Sequence, residues 1–128
     1  MSTPRIMIVD DDTALRSLLV STLPTDGYEL LEARGGSEAI ELLLATPPDL
    51  VLLDWKMPGP SGAEVLAELK KLHPNVPVIV LTAENRSFPR TLAEALGAEV
   101  FMTKPFSPLG LLAEVERLLP QGLVDQTA

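Results

Sequence analysis

Four short apolar runs punctuate the chain: Ile6-Met7-Ile8-Val9, Leu50-Val51-Leu52-Leu53, Val78-Ile79-Val80-Leu81 and Val100-Phe101-Met102. Runs this short, with turn signals at their ends, predict strands buried on both faces, as in parallel sheets. The last run extends over 99–103, and a further strand is predicted over 28–33. Between the runs, apolar residues recur every three or four positions, the period of an amphipathic helix. Leu15, Leu18, Leu19, Thr22 and Leu23 share one face after Asp12, before Pro24 and Gly27 end the pattern. Ala39, Ile40, Leu43 and Leu44 follow Gly35-Gly36-Ser37 and stop at Pro47-Pro48, because proline removes a donor and disfavours helix before it.

Val65, Leu66, Leu69 and Leu72 continue from Ser61 and Glu64, which have capping-box spacing. Leu92, Ala93 and Leu96 form a short helix with Ser87 as N-cap, Pro89 in its first turn and Gly97 at its end. Leu111, Leu112, Val115, Leu118 and Leu119 follow Ser107-Pro108, an N-cap with proline at the first helical position, and Pro120 closes them. Five strands alternating with five helices predict a doubly wound α/β fold: a parallel sheet covered on both faces and joined by right-handed crossovers.

At 128 residues and 46% hydrophobic, the chain has the size and composition of one domain with one core. The domain is placed at 4–120, and 121–128 is read as a flexible tail or the start of a linker. Cysteine is absent, and no secretory h-region or 18-residue apolar run is present. A soluble, cytoplasmic protein with no membrane association is expected. The net charge of −8 and ten scattered basic residues argue against direct nucleic-acid binding.

The chemistry sits at the ends of the apolar runs. Asp10, Asp11 and Asp12 follow the first, Asp54 the second, Thr82 the third and Lys104 the last. Ligand sites of open α/β sheets lie just past the carboxyl ends of the strands. Asp10, Asp11 and Asp54 converge if strands one and three are neighbours, as in the flavodoxin-like order 2-1-3-4-5. Carboxylates so close repel unless a cation intervenes, and Mg²⁺ takes such hard oxygen ligands. Taken alone, the acid triplet also reads as helix capping, Thr82 as a strand residue and Lys104 as a solvated charge. Taken together they suit phosphoryl transfer, which needs cations and donors around the phosphoryl oxygens and, in Asp54, a nucleophile.

The segments I-M-I-V-D-D-D, D-L-V-L-L-D-W-K-M-P-G-P-S-G, V-I-V-L-T-A and G-A-E-V-F-M-T-K-P-F, in this order and spacing, resemble the receiver domain of two-component response regulators. The resemblance implies the strand order above. It also implies that Asp54 accepts a phosphoryl group from a phosphohistidine on a sensor kinase or phosphotransfer protein. Asp11, Asp54 and the Lys56 backbone carbonyl would hold Mg²⁺ directly, with Asp10 reaching it mainly through water. Lys104 would contact the phosphoryl group, with a cis Lys104-Pro105 bond. Thr82 would move toward the phosphoryl oxygen and Phe101 would rotate inward, altering the surface of the fourth helix, fifth strand and fifth helix. The domain is thus expected to be a phospho-acceptor switch that assists its own phosphorylation and dephosphorylation, not a metabolic enzyme.

Asp12 is read as the cap of the first helix, Trp55 as packing and His73 as an exposed residue without a role. Lys56 and Glu84 are expected to pair across the site mouth and slow dephosphorylation. The resemblance also implies a homodimer through the fourth helix, fifth strand and fifth helix. Val100, Glu114, Leu109 and Gly110 depart from the charges that commonly pair there, and Leu109 and Leu112 offer an apolar patch instead. Two readings compete. A haloacid-dehalogenase-like hydrolase would use Asp10 as nucleophile, but its D-x-D-x-T pattern is missed by one place at Asp10-Asp11-Asp12-Thr13. A receiver-like interaction module would never take phosphate. Neither the output activity nor the cognate kinase is legible.

Overall fold

The computed structural model describes residues 3–23, 27–83 and 87–119. Its elements alternate without exception: β1 Arg5–Val9, α1 Thr13–Thr22, β2 Glu29–Ala33, α2 Gly36–Ala45, β3 Leu50–Asp54, α3 Gly62–Leu72, β4 Val78–Thr82, α4 Ser87–Ala95, β5 Val100–Thr103 and α5 Pro108–Leu118. The five strands form one parallel sheet in the order β2-β1-β3-β4-β5. Both the doubly wound class and the strand order expected from the sequence are present.

The apolar runs are unbroken because both faces of the sheet are buried, and side chains alternate between them. Met7, Val9, Val51, Leu53, Val78, Val80 and Phe101 pack with Ala39, Leu43, Val65, Leu66, Leu69 and Ala93 of α2, α3 and α4. Ile6, Ile8, Leu50, Leu52, Ile79 and Leu81 pack with Leu19, Leu23, Leu111, Val115 and Leu119, on and at the ends of α1 and α5. Each fully buried Leu or Ile contributes about 1.5–3 kcal/mol of transfer free energy. The sheet is therefore the rigid part from which the site projects.

The caps follow the sequence. Asp12 accepts from the Ala14 and Leu15 N–H groups, Ser61 and Glu64 close a capping box, and Ser107 accepts from Gly110 N–H with Pro108 behind it. Three details differ. Leu18 and Leu44 are exposed, because α1 turns Leu19 inward and α2 turns Leu43 inward, and a neighbouring residue lies about 100° round the helix. His73 is half-buried, with Nε2 3.0 Å from the Leu43 carbonyl oxygen, so it ties the end of α3 to α2. Glu99 precedes β5 and its carboxylate accepts from Val78 N–H at 2.8 Å and from Lys70 Nζ at 3.1 Å, joining α3, β4 and β5. Expectations that rest on Pro24, Glu84, the Ser87 side chain, Pro120 and residues 121–128 lie outside the described residues. No described helix is long and apolar enough to cross a membrane.

Candidate functional site

Strand pairing brings the functional ends level. Val9 lies opposite Leu53, Asp54 opposite Leu81, and Thr82 opposite Thr103. Asp10, Asp54 and Lys104 continue the alternation of the side chains that face α1 and α5, whereas Thr82 continues that of Val78 and Val80, beside Phe101. Acids and lysine thus emerge on one side of the sheet edge, and the hydroxyl and aromatic ring on the other.

One carboxylate oxygen from each of Asp10, Asp11 and Asp54 lies within 4.8 Å of the others. Asp10 and Asp54 are buried and Asp11 is exposed, which leaves the cluster open on one side. Lys104 Nζ sits between the buried pair, 3.3 Å from Asp10 Oδ2 and 3.4 Å from Asp54 Oδ1. The Lys104-Pro105 bond is cis, and Lys104 N–H donates to the Thr82 carbonyl at 2.8 Å. Asp10 Oδ1 accepts from Asp12 N–H at 2.8 Å. Burial pushes the Asp54 carboxyl up to about 6, and the Asp10 charge adds to the rise while Lys104 opposes it. One ammonium therefore does not balance three carboxylates. The donor set, all hard oxygen and crowded to the point of repulsion, fits a divalent cation such as Mg²⁺.

Thr82 is fully buried. Phe101 is buried as well, with the Arg90 guanidinium 4.8 Å from the ring centroid. The ring packs in the core cluster on the α2–α4 side of the sheet. Lys56 is exposed, and Trp55 packs against the α2–α4 side of the core, as its alternation with Leu53 requires. Leu109 is 79% exposed, while Leu112 is half-buried against the α1–α5 side of the core. Glu114 pairs with Arg117 at 2.6 Å.

Two supports of the site escaped the sequence reading. Arg16 is buried on α1, with Nη1 2.7 Å from the Asp10 carbonyl oxygen. Its signal was its position on the inward stripe, three residues before Leu19 and seven before Leu23. Gly62 donates its N–H to the Trp55 carbonyl at 3.0 Å, and a Cβ there would lie 2.7 Å from Trp55 Cα. Only glycine lets α3 start this close to the peptide that follows Asp54. Gly59, at φ +74°, turns the loop between them.

Comparison with known proteins agrees with this geometry. The family model of the response regulator receiver domain matches residues 6–116. The phosphate regulon transcriptional regulatory protein PhoB of Pseudomonas aeruginosa is 39% identical over 116 residues, 89% of this chain and 51% of its own length. The chain thus spans about half the length of that curated relative. A CheY-like receiver domain protein from Methanospirillum hungatei superimposes with a TM-score of 0.86 at 31% identity, over 91% of this chain and 93% of that one. The receiver domain of NtrX from Brucella abortus gives 0.82 at 32% identity, over 89% and 97%. The chain belongs to the receiver-domain family of two-component response regulators.

Proposed function

We propose that this domain is a phosphorylation-dependent switch in which Asp54 is the phosphoryl acceptor. The observation that carries the reading is the buried Asp54 carboxylate, with Asp10 and Asp11 oxygens within 4.8 Å and the Lys104 ammonium 3.4 Å away. Asp11, Asp54 and the Lys56 carbonyl would hold Mg²⁺, with Asp10 behind them. Bound there, the ion neutralises the crowded carboxylates and the developing charge on the phosphoryl oxygens.

An Asp54 oxygen attacks the phosphorus, the P–N bond of the donor phosphohistidine breaks, and the departing imidazole keeps the electron pair. Lys104 turns from the carboxylate pair to a phosphoryl oxygen, a charge-assisted contact. Asp10 is the poorer nucleophile, because Asp12 N–H and Lys104 already engage its two oxygens. That favours the acceptor role at Asp54 over a hydrolase using Asp10. The Thr82 hydroxyl, drawn toward the phosphoryl group, repacks its neighbour Phe101 and with it α4 and β5. The partner is a sensor kinase or phosphotransfer protein that presents phosphohistidine.

The test is intact mass after incubation with acetyl phosphate, with and without Mg²⁺, for wild type and Asp54→Asn. A Mg²⁺-dependent gain of one phosphoryl group, lost in the variant, supports the reading. No gain in wild type returns the domain to a phosphate-free interaction module.

A further inference from the structure

We infer that Arg16 is a positioning residue for the acid cluster, an inference that rests on the Mg²⁺-dependent reading above. Arg16 is 7% exposed on α1. Its Nη1 donates to the Asp10 carbonyl at 2.7 Å, its Nε to Glu32 Oε1 at 3.2 Å, and its Nη2 to Thr13 Oγ1 at 3.3 Å. A buried guanidinium is costly, and an apolar side chain would join α1 to the sheet equally well. What an apolar side chain lacks is a donor aimed at the Asp10 carbonyl.

That carbonyl and the Asp11 N–H belong to one rigid peptide plane. Fixing its oxygen fixes where the Cα of the exposed Asp11 sits, and with the next peptide also held it sets the direction in which that side chain leaves the backbone. The peptides on either side are pinned as well: Asp10 N–H donates to the Ala33 carbonyl at 3.1 Å, and Asp12 N–H to Asp10 Oδ1 at 2.8 Å. The guanidinium completes the set, its own charge paired with Glu32 at 3.2 Å. Arg16 touches neither phosphoryl group nor metal; it acts through Asp10 and Asp11.

The test is Mg²⁺ titration of the full chain, followed by the fluorescence of Trp55, the single tryptophan, beside Asp54. Unfolding midpoints with and without Mg²⁺ give a second readout. Removing such a support of the ligands weakens metal binding about tenfold. Arg16→Met and Arg16→Gln therefore raise the Mg²⁺ Kd about tenfold, and Arg16→Lys, which keeps the charge and one donor, recovers part of the loss. Val20→Ala, a half-buried truncation on the same helix, lowers the midpoint without moving the Kd. Should Arg16→Met not fold, Arg16→Gln and Arg16→Lys decide. Wild-type affinity in the Arg16 variants, with wild type itself binding Mg²⁺, overturns the positioning role. A wild type indifferent to Mg²⁺ overturns the metal reading and this inference with it.

Discussion

Replacing Asp54 by Asn should stabilise the metal-free domain, and the gain should depend on pH. The folded chain raises the Asp54 carboxyl from 3.8 to about 6, chiefly through burial. Between those values the folded state binds more proton than the unfolded state, so stability falls as pH rises. The loss is complete above the folded value, and a shift of this size corresponds to a ceiling of about 3 kcal/mol. Asn carries no charge and sheds the whole of it, while Lys104 keeps its contact with Asp10. The assay is urea or thermal unfolding of both proteins in EDTA from pH 4 to pH 8. The pH-dependent part of the difference should be near zero at the acid end and plateau above pH 6. At neutral pH that corresponds to a midpoint about 10 °C higher for a chain of this length. Saturating Mg²⁺ should raise wild type and close much of the gap. A variant that is less stable at neutral pH, or a difference flat with pH, would refute the argument that burial and crowding strain this site.

Asp12→Ala, which removes the acceptor for the Ala14 and Leu15 N–H groups, should cost about 1 kcal/mol in denaturant unfolding. Gly62→Ala should cost about 2–3 kcal/mol, because its Cβ meets the Trp55 backbone rather than a flexible side chain. It should also slow phosphorylation by shifting the loop that follows Asp54. Leu44→Gln should leave the midpoint unchanged, whereas Leu43→Ala, one position away in the core, should lose about 2–5 kcal/mol. Glu99→Ala strands the Val78 N–H and should cost about 1–3 kcal/mol, measured by the same unfolding curves.

The strands were legible because a run such as Leu50-Val51-Leu52-Leu53 has no polar side to offer solvent. The caps at Asp12, Ser61 and Ser107 were legible because a helix start demands an acceptor at a fixed offset. The same logic gathered Asp10, Asp11, Asp54 and Lys104 at one sheet edge, since all follow apolar runs and parallel strands end level. Arg16 was legible only as a position on the inward stripe: an arginine on an amphipathic helix reads as solvated, and nothing local says that it meets a carbonyl six residues earlier. Gly62 looked like one more loop glycine, because its need for close approach comes from Trp55, which only the folded chain brings beside it. Leu18 and Leu44 fit the helical period yet face solvent, since a stripe of leucines is wider than the surface the sheet covers. His73 was misjudged for the complementary reason, as its partner, the Leu43 carbonyl, belongs to another helix.

The most direct test of the account is the position of the phosphoryl group itself. The wild-type protein would be treated with acetyl phosphate and Mg²⁺ and then reduced with borohydride, which converts an acyl phosphate to a primary alcohol. Peptide mass spectrometry then finds the altered residue. Reduction at Asp54 alone is the predicted result. Reduction at Asp10, or label that persists in Asp54→Asn, would contradict the account and move the chemistry to the first strand.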